Sequence, residues 1–219
     1  MNLDHVEILT DGVEQTKAYY GEVLELPIAE YDSKSVSIKI GSSTLRFVET
    51  PKRSRPIYHF AFNIPENKLN EAIDWCAGRI ELIQEKDAVL IADFERWNAN
   101  AVYFYDNNGN ILEFIARHDL KNSTTVPFGS RQLLNISEIG IVSENPLELG
   151  QRLIEEHDLV SFGKNEDSET FTALGDDNGL LIIVKNNRNW YPTDIPAKAN
   201  RTNIGLTHMG QKKTIEVSG

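Results

Sequence analysis

The stretch Tyr103–Arg117 reads YFYDNNGNILEFIAR. Two runs of β-forming residues flank a polar turn, Asp106-Asn107-Asn108-Gly109-Asn110, of the kind that closes a hairpin. The second run carries a carboxylate, Glu113, among Ile111, Leu112, Phe114 and Ile115. A lone acid in an apolar strand is costly unless it is paired or bound to a metal, so its partner has to come from elsewhere in the chain.

Outward from this hairpin the chain repeats itself. Upstream, IYHFAFNI (57–64) alternates, with His59, Ala61 and Asn63 on one face and Phe60 and Phe62 on the other. The helix-patterned PENKLNEAIDWCAGR follows, with Pro65 suited to a first turn. The β-like pieces ELIQEK, VLIADFER, AVYFYD and NILEFIAR complete the unit, although VLIADFERW also reads as a loop that covers something. The same order occupies residues 3–50. LDHVEIL alternates, with His5 and Glu7 on one face; a helix pattern opens at Asp11 as expected N-cap; IAEYD, SVSIKI and STLRFVET are strands. A fainter copy has ISEIGIV (136–142), a helix with Asn145 as cap and Pro146 in its first turn, and the strands ETFTALGD and LLIIVK. TNIGLTHM resembles the first strand of a fourth copy that then stops, and 118–132 has the composition of a linker. Between them NNRNWYPT is either a turn or a loop closing on a neighbouring cavity.

Bulk properties bound the function. The 219 residues carry 22 Lys and Arg against 33 Asp and Glu, a net charge of −11 that disfavours nucleic-acid and anionic-membrane binding, since both need basic patches. No apolar run approaches the ~18 residues that would span a bilayer. The opening MNLDHVEIL is charged and β-like, unlike a signal peptide. The single Cys76 excludes an intrachain disulfide and reads as a half-buried thiol. The expected setting is the reducing cytoplasm.

Aligning the copies by strand puts His5 and His59 at one position of the first strand, and Arg46 and Glu113 at one position of the last. The third copy has Glu138 and about Ile183 there, and the fourth has Asn203 in place of the histidine. His5, His59 and Glu113 therefore present two imidazoles and a carboxylate, the facial set of non-haem iron and related divalent-metal sites with open positions for substrate. The competing readings are two hydrogen-bonded core histidines and a Glu113–Arg46 ion pair.

With these features in view, the β-α-β-β-β repeats, a His in the first strand of each of two repeats, and YFYDNNGNILEF resemble the vicinal oxygen chelate superfamily. It includes glyoxalase I, extradiol ring-cleaving dioxygenases, fosfomycin-modifying transferases and metal-free bleomycin-binding proteins. Its turn, Asp-Pro-x-Gly-x-x-x-Glu, matches Asp106 to Glu113 except for the proline. The resemblance implies an α+β fold of tandem βαβββ repeats, residues 1–120 forming one open eight-stranded cup around the metal and 130–219 a third, metal-free repeat with an extra terminal strand. It implies metal ligation by His5, His59 and Glu113, with Fe(II) favoured over Mn, Zn or Ni. Arg46 stands where glyoxalase I has a fourth ligand, and no His precedes the VYFYDNNG strand as it does in extradiol enzymes. A ring-cleaving dioxygenase acting on a small diol is the leading expectation, with a lyase, a thiol transferase or a metal-free binding protein as alternatives.

The remaining candidates are weighed residue by residue. Arg46 and Tyr103 are candidate substrate contacts, against a structural pair and wall packing respectively; Trp97 and Tyr105 read as wall packing. Glu7 shares the His5 face, His118 reads as an exposed residue, and His157 and His208 have no assigned role. No catalytic acid or base is identified. The LLIIVK strand is apolar on both faces, so the third repeat either packs within the chain or meets its copy in a homodimer, the latter being favoured.

Overall fold

The computed structural model describes residues 1–50, 55–84 and 88–218. Among these, fourteen strands form one continuous sheet with three α-helices, a sheet-dominated α+β fold. The first repeat is complete: β1 (Asn2–Thr10), α1 (Val13–Ala18, continued by a π-helical turn to Val23), β2 (Ile28–Asp32), β3 (Ser35–Ile40) and β4 (Ser43–Glu49). Gly12, not Asp11, occupies the cap position of α1, and no side chain caps it. The second repeat has β5 (His59–Ile64), α2 (Leu69–Cys76), the short β6 (Leu82–Ile83) and β7 (Ala92–Phe94), β8 (Ala99–Tyr105) and β9 (Ile111–Arg117). Residues 85–86 of the expected ELIQEK strand lie outside the described residues. The third has β10 (Asn135–Ser143), α3 (Pro146–His157), β11 (Phe171–Asp176) and β12 (Gly179–Lys185). Asn145 caps α3 as expected, accepting from the Glu148 amide at 3.4 Å. The fourth copy is a hairpin, β13 (Thr202–His208) and the unforeseen β14 (Gln211–Val217).

How the repeats pair differs from the expected 1–120 cup. The first strand of repeat two pairs antiparallel with that of repeat three, placing Ala61 opposite Glu138. The first strand of repeat one pairs instead with β13, placing His5 opposite Gly205. Strands β5–β12 thus form one cup, and β1–β4 with β13 and β14 form another, joined at the Leu3–Ile136 bridge. Burial explains the choice. Every residue of β5 is buried, and all of β10 between its two ends, whereas β1 and β13 alternate buried with part-exposed positions. Strands covered on both faces gain most by joining each other, and half-wet strands pair among themselves.

The third repeat therefore packs within the chain. Leu181 and Ile183 of β12 face the helix-side core with Leu149 and Leu153 of α3, while Leu180, Ile182 and Val184 join a second cluster with Ala61, Ile111 and Trp190. The apolar patch that motivated a homodimer is covered within the chain. Nor is 118–132 a loose linker: Phe128 packs its ring 5.9 Å from Trp75, and the Glu66 amide donates to Asn122 at 2.8 Å.

The turn between β8 and β9, Asp106 to Asn110, is a structural hub. Asp106 is buried and accepts from the Tyr20 hydroxyl (2.8 Å), the amides of Asn108 (2.8 Å) and Asn110 (2.9 Å), and the Asn110 side chain (2.8 Å). Gly109 supplies the positive φ of 82°. Asp106→Ala strands these donors, including the hydroxyl of the fully buried Tyr20. It is expected to cost about 3 kcal/mol in urea unfolding, given ~1–3 kcal/mol per unsatisfied buried group.

Candidate metal centre

The cup of β5–β12 holds its chemistry at the pairing of β5 with β10. His59 opens β5, Glu113 lies in the middle of β9, and Glu138 lies on β10. Parallel pairing sets Ala61 beside Glu113, and antiparallel pairing sets Ala61 beside Glu138, so β5 brings both acids to the imidazole. His59 Nε2 is 3.7 Å from Glu113 Oε2 and 3.9 Å from Glu138 Oε2. All three residues are buried, and one ligand atom from each lies within 4.8 Å of the others. Ligands at ~2.1 Å from a common ion stand roughly 3–4 Å apart, so closing on a cation needs shifts of only a fraction of an ångström to about one.

Each side chain is prepared for that role. The His59 Nδ1 faces the Ile111 carbonyl at 3.1 Å, so Nδ1 carries the proton and Nε2 presents its lone pair to the acids. Burial pushes the His59 pKa down to about 4, which keeps the ring neutral. Glu113 is pushed well up, first by burial and then by the Glu138 charge, while the Tyr103 hydroxyl, hydrogen-bonded to it, acts in the opposite sense. Its Oε1 is buried without a partner. Burial also raises Glu138, against the pull of the Arg117 guanidinium. Arg117 is fully buried at the end of β9, donating through Nη2 to Glu138 Oε1 and through Nε to Ser137 at 3.2 Å. An orphaned carboxylate oxygen, two acids whose oxygens lie within 4.8 Å and a neutral imidazole form a site that fits a divalent cation.

Above the three residues lies a cavity of about 260 Å³, walled by Phe94, Trp97, Tyr103, Phe171, Trp190 and Tyr191. Ring contacts bind the wall to the site: Trp190 lies 5.4 Å and Tyr103 6.2 Å from His59, centroid to centroid. Gly140 permits this closeness, since a Cβ there would stand 2.6 Å from the Trp190 ring. VLIADFERW and NNRNWYPT, each with a covering loop as one of its two expected readings, both supply wall residues.

Of the residues expected to ligate, His59 and Glu113 come together and His5 does not. His5 lies on β1 between β4 and β13, half-buried in the other cup. Arg46 is there too, 3.5 Å from both Glu7 and Glu30 and 3.0 Å from Ser35, so it neither pairs with Glu113 nor enters the cavity. Glu7 also accepts from Arg201 at 3.0 Å. Tyr103 is in the cavity wall. Tyr105 is 40% exposed and is not part of it. His118 contacts Asn100 at 2.9 Å. The third repeat, expected to be metal-free because a cup made with its own copy would give Glu138 no imidazole partner, instead shares a cup with repeat two, where His59 faces Glu138. The signal for Glu138 was available: an acid inside the apolar ISEIGIV run poses the same question as Glu113. The fourth position, equivalent to Glu113 in repeat three, holds Ile182, one residue from the expected register.

No protein-family profile and no curated protein matches this sequence. Solved structures do. A Bacillus subtilis subsp. subtilis str. 168 protein described as a "putative dioxygenase" aligns over 99% of this chain and 67% of its own, with a TM-score of 0.60 and 14% identity. Two glyoxalase I mutants from Zea mays align over 91% of this chain and 71% and 72% of theirs, with TM-scores of 0.58 and 0.59 and identities of 13% and 12%. At such identities the likeness is one of fold alone. No described helix is long and apolar enough to cross a membrane.

Proposed function

We propose that this chain is a divalent-metal-dependent enzyme acting on a small substrate bound through two neighbouring oxygens, with His59, Glu113 and Glu138 as protein ligands. The observation that carries it is the convergence of three buried donors, one carboxylate oxygen unpartnered, at the floor of an aromatic cavity. Two carboxylates and one imidazole form a harder set than the two-His, one-carboxylate triad of oxygen-activating iron. His5, which was to complete that triad, belongs to the other cup. The ring-cleaving reading thus loses its donor set, and non-redox lyase or isomerase chemistry is favoured, with Mn, Zn, Ni or Fe(II) compatible. The bound ion would polarise the substrate oxygens.

The chain's own residues do the rest. The Ile111 carbonyl fixes the His59 tautomer, Arg117 fixes one oxygen of Glu138, and Tyr103 orients Glu113. Trp190 and Trp97 give the site apolar aromatic walls. Glu113 Oε1, buried without a hydrogen-bond partner, is an atom free to serve the ligand set as a carboxylate.

A second reading, a metal-free binding protein, is favoured by the Arg117–Glu138 pair, which gives Glu138 a cation without any metal. The two separate experimentally. Protein purified without chelator or polyhistidine tag is assayed for bound metal, then against catechols, α-hydroxyketones and α-keto acids, following both product and oxygen. The expected result is one equivalent of metal and chelator-sensitive turnover without oxygen uptake. Metal-free protein that binds without turnover supports the second reading; oxygen uptake with a catechol restores the ring-cleaving one.

A further inference from the structure

The loop between β12 and β13 carries a cation that the metal reading does not use. Arg188 lines the cavity together with Trp190 and Tyr191. No carboxylate of the described residues lies within ion-pair distance of it; among those residues its guanidinium makes one hydrogen bond, a marginal 3.5 Å contact to the Asn189 carbonyl. Its guanidinium rests on the Phe171 ring, 5.2 Å from the centroid. The loop is braced on itself: the Asn187 amide donates to the Ala197 carbonyl (2.9 Å), the Ala197 amide to the Arg188 carbonyl (2.8 Å) and the Trp190 amide to the Ile195 carbonyl (2.9 Å). Arg188 is therefore held at the cavity by backbone rather than by a partner charge. A second donor is also unpaired there: Trp190 is only 2% exposed, and its indole Nε1 has no hydrogen-bond acceptor.

We infer that the cavity takes a planar, single-ring ligand bearing an anionic group, a carboxylate or phenolate, with Arg188 as the anion anchor. This deepens the function proposed above and rests on its reading of the cavity as a substrate pocket. The aromatic walls match the face of a ring. A guanidinium presents a planar fork to a carboxylate, and it is the one cation lining this cavity among the described residues. Half-burial disfavours the charge of Arg188, a cost that an incoming anion relieves. The cavity volume of about 260 Å³ has room for one substituted ring. Arg46, the arginine the sequence offered as a candidate substrate contact, pairs with Glu7 and Glu30 in the other cup.

The test uses the full chain stripped of metal, titrated with benzoate and with its neutral isostere benzamide, and followed by tryptophan fluorescence, since Trp97 and Trp190 line the site. Benzoate is expected to bind at least ~10-fold more tightly than benzamide, a charge-assisted contact of ~1.4 kcal/mol or more. Arg188→Met is expected to abolish the preference while benzamide still binds, and Arg188→Lys to keep part of it. Equal affinities in the wild type, binding of neither probe, or a preference surviving in Arg188→Met overturns the inference. If Arg188→Met does not fold, the wild-type and Arg188→Lys titrations decide alone. Because no metal is present, the outcome is separable from the ligand set: a chain that binds one equivalent of Mn²⁺ but does not prefer benzoate keeps the metal centre and loses the anchor.

Discussion

His59→Ala and Glu113→Ala are each expected to lower divalent-metal affinity by roughly a hundredfold or more, since changes behind the ligands alone cost ~10–100-fold. Glu138→Ala should act in the same direction, whereas His5→Ala should leave one equivalent bound. The contrast discriminates between two sites. His59 Nε2 faces both acids within 3.9 Å, while His5 stands in a cup whose equivalent positions hold Arg46 and Asn203. Isothermal titration with Mn²⁺ in apo-protein reads the effect directly. Loss of binding in His5→Ala, with retention in His59→Ala, would return the centre to the first repeat.

The largest stability effect is expected at Arg117. Its side chain is fully buried, donates to Glu138 and Ser137, and lies 3.5 Å from Asp177, which Lys164 holds at 2.7 Å. Arg117→Met leaves Glu138 buried beside Glu113 without a cation. Breaking such a pair from one side costs about 3–5 kcal/mol, read as a lowered urea midpoint. Arg117→Met with Glu138→Gln should recover most of that loss, because the uncompensated charge goes with its partner. Millimolar Mn²⁺ should stabilise Arg117→Met more than wild type, since a bound ion replaces the missing positive charge. An Arg117→Met protein as stable as wild type without metal would show that Glu138 does not depend on this pair.

Much of the site was legible in local sequence. Glu113 drew attention because an acid among Ile111, Leu112, Phe114 and Ile115 needs a reason, and the structure buries it against an imidazole and a second acid. Glu138 sits in an equally apolar run, but its imidazole partner lies in a different repeat and reaches it only through the β5–β10 pairing. Arg188 and Trp190 carried no such signal. In NNRNWYPT a charged and an aromatic residue in a polar loop look alike whether they face solvent or a cavity, and only the loop's return over β5–β12 puts them at the site.

The sequence by itself determined the repeat unit, the strands that carry ligand-type residues and the register that aligns His59 with Glu138 and Arg46 with Glu113. Those features follow from periods of two and 3.6 residues and from turn chemistry, which act over a few neighbours. Which repeats share a cup was decided only by the tertiary structure. Any first strand can pair with any other through the same backbone hydrogen bonds, so pairing depends on which faces end up dry. β5 and β10 are buried on both faces and join each other, whereas the alternating β1 and β13 form the wetter cup. That choice separated His5 from His59 and gave the imidazole a second carboxylate in place of a second imidazole.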